Sequence, residues 1–327
     1  MYSSTNHTED DALISTDNYS DYPDYDPGNT SGPVVPTPES PALCTDVGCV
    51  LLATVNVIIT VLGITGNGLV IWIAGFKIKK TVNTVWYLSL AVSDFLFCAF
   101  LPLSVAYIVK NTWVFGRFMC KFTYFFWFLN WFSSIFLLVI ISVDRCVVVM
   151  FPVWAQNKRS IRRALVIVLL AWIVSALLSL PAAIFRDVDN IYYDSLVCYY
   201  NYTHDDEDIA VRVCRFIFGF VIPLLIIMFC YFLIIRKLKS NHMARSNKPF
   251  RVMTVLIVAF FISWLPYHFF HILEISLKDP NVISIGQRFG STLASTNSFM
   301  NPFLYAFMVK DFKRKCYALL PKIESTF

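Results

Sequence analysis

Seven apolar stretches, each at or above the roughly 20 residues that a helix needs to cross a bilayer, constrain this chain more than any other feature. They run about 48–76, 82–109, 117–150, 161–183, 209–236, 249–275 and 284–308. A chain that is 57% hydrophobic and only 15% charged is too apolar for an ordinary soluble domain, so the stretches read as membrane spans. Five carry an interior proline: Pro102, Pro181, Pro223, Pro266 and Pro302. Membrane helices tolerate proline because neighbours satisfy the freed carbonyls. The predicted fold class is an all-α membrane protein, a seven-transmembrane helix bundle with a short amphipathic helix after the seventh span. Residues 1–47 are expected to form an acidic, disordered outer segment, 48–308 the bundle, and 309–327 a cytoplasmic helix and tail. The first forty residues hold no apolar core, so the first span is expected to serve as the insertion signal.

Lys and Arg set the orientation. The first connection carries Lys77, Lys79 and Lys80, the third Lys158, Arg159, Arg162 and Arg163, and the fifth Arg236, Lys237, Lys239 and Arg245. Residues 1–47 have neither Lys nor Arg. The odd connections and the C-terminus are therefore predicted to be cytoplasmic and the N-terminus extracellular, at the plasma membrane. The N-glycosylation sequons at Asn6, Asn18, Asn29 and Asn201 all fall on the predicted outer side.

Inside the spans the polar residues are few. Asp94 interrupts the second, at a cost of roughly 2.5–3.5 kcal/mol for a carboxylate at the bilayer centre. Asn130 and Ser134 lie four apart on the third span, as do Asn297 and Asn301 on the seventh, so each pair shares a helix face. Carboxylate, amide and hydroxyl oxygens together suit either a hard cation or a hydrogen-bonded polar core. Arg186 closes the fourth span and Arg215 opens the fifth. A guanidinium there needs an anionic or hydrogen-bonding partner; the alternative, snorkelling to the interface, suits Arg186 better than Arg215. Cys98, Cys146, Cys214 and Cys230 are expected to be packed thiols, and Cys44 and Cys49 either pair locally or stay free. Neither a Gly-rich phosphate loop nor a metal cluster is present, so no enzymatic activity is expected, nor is nucleic acid a partner. One intramembrane acid without a charged partner, and no internal repeat, also argue against an ion-coupled transporter.

Landmarks on the spans are ordered as follows. Gly66-Asn67 lies in the first and Leu90-Ala91-Val92-Ser93-Asp94 in the second; Asp144-Arg145-Cys146 ends the third. Trp172 marks the fourth, Pro223 and Tyr231 the fifth, Phe260 and Ser263-Trp264-Leu265-Pro266 the sixth, and Asn301-Pro302-Phe303-Leu304-Tyr305 the seventh. This order resembles the rhodopsin-like G-protein-coupled receptors over nearly the whole chain. Trp113-Val114-Phe115-Gly116 before Cys120, and Phe151-Pro152-Val153-Trp154-Ala155-Gln156-Asn157, are similar to their chemoattractant branch of formyl-peptide, complement anaphylatoxin and chemerin receptors. Phe185-Arg186-Asp187 and Lys248-Pro249-Phe250 lean toward the chemerin receptors.

The resemblance implies a disulfide between Cys120 and Cys198. It implies a sodium ion held by Asp94, Asn130, Ser134, Asn297 and Asn301, and an activation switch of Asp144, Arg145, Tyr231, Phe260, Trp264, Pro266 and Tyr305, with Asp144 paired to Arg145 at rest. Many members carry an acid near the start of the sixth helix to lock the arginine; Ser246-Asn247-Lys248 supplies none. Arg215 and Arg186 would receive the C-terminal carboxylate of a peptide or basic protein ligand, with Glu274, His268 and Arg288 at the rim. Trp127 stands where amine receptors carry an aspartate, and no lysine for a retinal Schiff base lies between Ile285 and Met308. Tyr19, Tyr22 and Tyr25, set among acids, resemble sulfation sites that capture a basic ligand. An inhibitory-type G protein is the expected inner partner, with arrestin as a further candidate. The basic segment after the seventh span would lie on anionic membrane lipids with Cys316 palmitoylated. A non-signalling scavenger on the same fold is the alternative function.

Overall fold

The computed structural model of the chain describes residues 44, 46–192, 195–240, 248–276 and 280–308. Tyr19, Tyr22, Tyr25, Asn6, Asn18, Asn29, the Ser246-Asn247 stretch, the surface helix and Cys316 lie outside the described residues, as does the side chain of Tyr305.

Helix α1 (Val47–Trp72) starts where the Asp46 carboxylate accepts from the Cys49 N–H at 3.1 Å, capping one of the four orphan donors of a helix start. It ends in a π turn, Ile73–Lys77. Helix α2 (Val82–Lys110) opens with a capping box between Thr81 and Thr84. It stops at Asn111 in the left-handed conformation, φ 51°, which Asn tolerates better than most residues. Helix α3 (Gly116–Met150) is followed by the short α4 (Pro152–Lys158) and by α5 (Ile161–Phe185), whose N-cap is Ser160. Beyond α5 come β1 (Arg186–Tyr192) and β2 (Ser195–Tyr200), then α6 (Asp205–Phe216) and α7 (Ile222–Ser240), joined by a π turn at Ile217–Val221 just ahead of Pro223. Helices α8 (Lys248–Ser276) and α9 (Pro280–Met308) complete the described chain.

Among the described residues, six helices are long and apolar enough to cross a membrane: Val47–Lys77, Val82–Lys110, Gly116–Met150, Ile161–Phe185, Asp206–Ser240 and Ile257–Ser276. The predicted fifth span is longer than expected, because α6 runs into α7 through the π turn. α9 has the length, 29 residues, but Gln287, Arg288, Thr292, Ser295, Asn297 and Asn301 make it the polar member of the bundle. α3 is central, packing on α2, α5 and α7, while α8 packs on α9 and α9 on α1. Close contact of α8 and α9 requires Gly290, where an added Cβ would sit 2.8 Å from the Tyr267 backbone nitrogen. Large apolar side chains face outward, as Leu165, Leu169 and Leu177 do along α5, the pattern of a helix in lipid.

The hairpin is the element that the span pattern does not foretell. β1 and β2 pair antiparallel with Arg186 opposite Tyr200 and Val188 opposite Cys198. The Cys120–Cys198 disulfide, with Cα atoms 5.9 Å apart, fastens it to the N-terminal end of α3. Trp113, fully buried, donates its backbone N–H to Leu196 O at 2.7 Å, and Leu196 N donates to Thr112 Oγ1 at 3.0 Å. Cys44 and Cys49 also form a disulfide. Cys98, Cys146 and Cys230 are buried, but Cys214 is exposed and is no packed thiol: on α6 it lies one residue from Val213, also exposed, on the outward side.

Candidate functional site

Outer cavity. A cavity of about 350 Å³ opens between α2, α3, α8, α9 and the hairpin, lined by Tyr107, Tyr124, Trp127, Phe128, Arg186, Tyr267, His271, Gln287 and Arg288 among others. Arg186 does not snorkel outward. As the first residue of β1 it turns inward between two rings, its guanidinium 3.6 Å from the Tyr124 centroid and 3.8 Å from that of Tyr200. It donates to Cys198 O at 2.8 Å, and its Nε is buried without a partner. Backbone pairing and the disulfide hold it there, where sequence alone suggested a free span end.

Arg215 lies behind this wall. It is 7% exposed, stacks 3.8 Å over Phe128 and 5.2 Å from Tyr200, and leaves Nε and Nη2 without hydrogen bonds. It does not line the cavity, and neither does buried His268, which packs among Trp131, Phe216 and Phe220. Burial alone would raise the Tyr200 hydroxyl, but the adjacent Arg215 and Arg186 outweigh it and hold that group below its ordinary range. Arg186 and Arg288 are the cations on the cavity lining. At the rim, Glu274 is not free: Arg212 pairs with it and with Asp208 (2.7 Å), and Gln287 donates to it at 2.6 Å. Arg212 was not singled out from sequence, although its i,i+4 spacing from Asp208 was the available signal. Arg288 is exposed on α9 and lines the cavity.

Aromatic floor. Trp127 meets Trp264 edge-on at 5.1 Å, Trp264 stacks on Trp131 at 4.9 Å, and Phe260 lies 5.9 Å from Trp264. Phe260 and Trp264 are buried on α8, a turn above and below one another, with Pro266 inside the same helix. Rings therefore touch continuously from cavity to bundle centre.

Polar seam. Asp94 is fully buried. Asn130 donates to one carboxylate oxygen at 2.8 Å and Asn301 to the other at 2.5 Å. Ser298 donates to Asn130 Oδ1 at 3.2 Å, Asn130 also donates to Ser93 Oγ, and Ser93 meets Ser133. Asn67 Nδ2 bonds Gly63 O and Ser298 O. Of the expected residues, Ser134 is buried with no hydrogen bond of ordinary geometry at Oγ. Asn297 is buried one turn before Asn301 and makes no hydrogen bond to Asp94 among the described residues. Ser134 and Ser298 both adjoin the carboxylate, and Ser93 and Ser133 bond to Asn130 behind it. The donor chemistry fits a hard monovalent cation, since Ser134 Oγ and Asn67 Oδ1 are buried oxygens without partners. Asp94, as placed, spends both oxygens on amides.

Inner end. Here the expected Asp144–Arg145 pair is not formed. Arg159 donates to the two Asp144 oxygens from Nε (2.7 Å) and Nη2 (2.8 Å), and Nη2 also reaches Asn83 Oδ1. Arg159 approaches Asp144 fork to fork and occupies both of its oxygens, in competition with the adjacent Arg145. Arg145 instead lies within reach of the Tyr87 hydroxyl, and Tyr231 engages Thr254 on α8. Tyr87, Asn83 and Arg159 were not foreseen in this role.

A comparison with protein families matches residues 66–305 to the 7 transmembrane receptor (rhodopsin family). The chain belongs to that family. Among curated proteins, the receptor is 43% identical over 295 residues to Chemerin-like receptor 1 of Sus scrofa, covering 84% of this chain and 81% of that one. It is 42% identical over 275 residues to the C3a anaphylatoxin chemotactic receptor of Oncorhynchus mykiss, covering 80% and 75%. It is 38% identical over 292 residues to Formyl peptide receptor 2 of Mus musculus, covering 83% of each. The receptor is therefore a multi-pass membrane protein of the chemoattractant type, and not an enzyme.

Proposed function

We propose that this receptor stands at the plasma membrane with its N-terminus outside. There it takes the free C-terminal carboxylate of an extracellular peptide or small protein, and it signals through an inhibitory-type G protein. The observation that carries the reading is Arg186 on the cavity wall, clamped between two tyrosine rings with an unused buried N–H and backed by a second under-satisfied guanidinium at Arg215. A buried donor without a partner favours an incoming anion, and Arg suits the planar geometry of a carboxylate. The receptor's relatives are named for chemerin, C3a and formyl peptides, so peptides from those sources are the first ligands to try.

Sodium at Asp94 belongs to the same proposal. Asp94, Asn130 and Ser134 would hold the ion, and it would supply positive charge between α2, α3 and α9. The chain's own amides compete for the same carboxylate, so ion and amide-bonded seam stabilise different arrangements.

The test is inhibition of cAMP in cells expressing the receptor, with and without a toxin that disables inhibitory G proteins. C-terminal peptides of chemerin and C3a are applied as free acids and as amides, beside formylated peptides. Truncating one side of a buried charged pair costs 2–5 kcal/mol, so Arg186→Ala should lower free-acid potency about a hundredfold or more and leave the amide's weaker potency nearly unchanged. Equal losses for acid and amide would remove the carboxylate assignment; a toxin-insensitive response would remove the G-protein assignment.

A further inference from the structure

The inner end of the bundle is rich in cations and nearly empty of acids. Asp144 is the only acid between Asp94 and Asp187, and none lies between Asp208 and Glu274. Arg145, Lys158, Arg159, Arg162 and Arg163 share that inner side in the sequence. One carboxylate therefore has to serve two arginines, and the one that holds it decides what the other can do.

Arg159 holds it. Its side chain is 28% exposed and that of Asp144 12%, so the pair is sheltered enough to escape much of the screening that weakens surface ion pairs. The geometry is bidentate, and the same guanidinium reaches Asn83 at the start of α2. Its backbone is fixed as well: Arg159 N donates to Ala155 O at 3.0 Å, closing α4, and the next residue, Ser160, caps α5. Only side-chain entropy remains to be lost in making the clamp. Arg145, adjacent to Asp144, is left to Tyr87, and its Nε is buried without a partner.

We infer that Arg159 is a positioning residue: by sequestering Asp144 it keeps Arg145 free of its neighbouring carboxylate and sets the receptor's agonist-independent activity. The effect on signalling rests on the proposed G-protein coupling. If Arg159 is removed, Asp144 is a sheltered carboxylate without a partner, and the adjoining Arg145 is the nearest guanidinium that can neutralise it. The arginine is then held and the inner mouth stays shut. Asp144→Asn removes the object of the competition, so Arg159 should no longer matter in that background.

The experiment measures agonist-independent nucleotide exchange on an inhibitory-type heterotrimer by the purified full-length receptor in lipid nanodiscs, at matched amounts of folded protein. Arg159→Ala should lower the basal rate about tenfold, the scale of one sheltered ion pair, with less effect at saturating agonist. Arg159→Lys, which keeps the charge and loses the fork, should fall between. Asn83→Ala, which loosens only the second anchor, should give a smaller drop in the same direction and covers the case in which Arg159→Ala folds poorly. In the Asp144→Asn background, adding Arg159→Ala should change nothing. An unchanged or raised basal rate in Arg159→Ala overturns the inference, and so does an equal drop with and without the carboxylate, the mark of a merely structural role. An environment-sensitive fluorophore at the inner end of α8 reads opening without any G protein. If agonist drives no exchange while the fluorophore still reports closure in Arg159→Ala, the coupling reading fails and the positioning role stands.

Discussion

The two ends of the bundle use arginine in opposite ways. At the outer end, Arg186 and Arg215 are held by ring faces, with N–H groups left over. At the inner end, Arg159 spends its fork on Asp144 and Asn83. Cation–π contact positions a guanidinium at about 0.5–2 kcal/mol without using its in-plane donors, whereas a bidentate pair consumes them. The outer arginines are thus oriented and chemically available; the inner one is committed. A ligand can be received only where donors remain, and a resting state can be set only where they are already taken. The rings from Trp127 through Trp264 to Phe260 and the Asp94 seam lie between the two ends, and they provide the contiguous packing through which one could bias the other.

The largest test of that contrast disturbs one end only. Cys198→Ser releases the hairpin that carries Arg186 from α3. Opening a loop of sequence separation 78 should cost about 4 kcal/mol of stability in the chain-entropy account. Thermal unfolding should fall accordingly, and peptide potency should drop by more than a hundredfold, since the cavity loses its wall. Basal nucleotide exchange per folded receptor should stay near wild type, because no inner contact depends on the hairpin. A parallel collapse of basal exchange would show that the ends are not separable.

A smaller effect is expected at the seam between them. If sodium competes with the Asn130 and Asn301 amides for Asp94, agonist affinity should be about five- to tenfold lower in sodium than in a bulky organic cation, a coupling of ordinary allosteric size. Asp94→Asn should erase the difference. Identical affinity in both salts would leave the seam as a hydrogen-bonded core alone.

Much of this was legible in the sequence, for reasons that differ by element. The apolar spans needed only length and hydropathy. α9 did not meet that standard, yet its polar residues are what brings Asn301 to Asp94. The i,i+4 rule put Asn297 and Asn301 on one face, but a face is not a contact: Asn301 reaches the carboxylate and Asn297 does not, while Ser298 enters from the adjoining position. The hairpin was invisible because Arg186-Asp187-Val188-Asp189-Asn190 shows no apolar alternation. Its order comes from a disulfide and from bonds to residues 111–113, contacts that no local pattern encodes. The Arg159 clamp joins residues 15 and 76 positions apart. Such pairing is decided by tertiary geometry, whereas the resemblance pointed to Arg145 as the resting partner of Asp144.

The smallest expected effect lies at the outer edge of the hairpin and asks whether its exposed charges matter at all. Arg117 donates to both Asp187 oxygens, at 2.5 and 2.6 Å, and the Val188 N–H donates to the same carboxylate at 2.7 Å. The Arg117 bond first, and then the backbone bond, hold the Asp187 carboxyl below its ordinary range. A depressed carboxyl stabilises the fold above its unfolded value, near 3.9, and that contribution is lost as pH falls through the lower folded value. Between pH 7 and 5 the pair should therefore leave stability unchanged, and Asp187→Asn should differ from wild type by a constant small amount. Below about pH 4 that gap should close, as read by thermal unfolding in detergent across the acid range. Because Arg117 is 66% exposed, solvent and salt screen the pair, and the gap should shrink further in high salt. A gap that is large, or that does not narrow as pH falls below about 4, would mean that the hairpin's outer edge is held by Asp187 itself rather than by the disulfide beneath it, and the outer end would then be less rigid than its aromatic clamp implies.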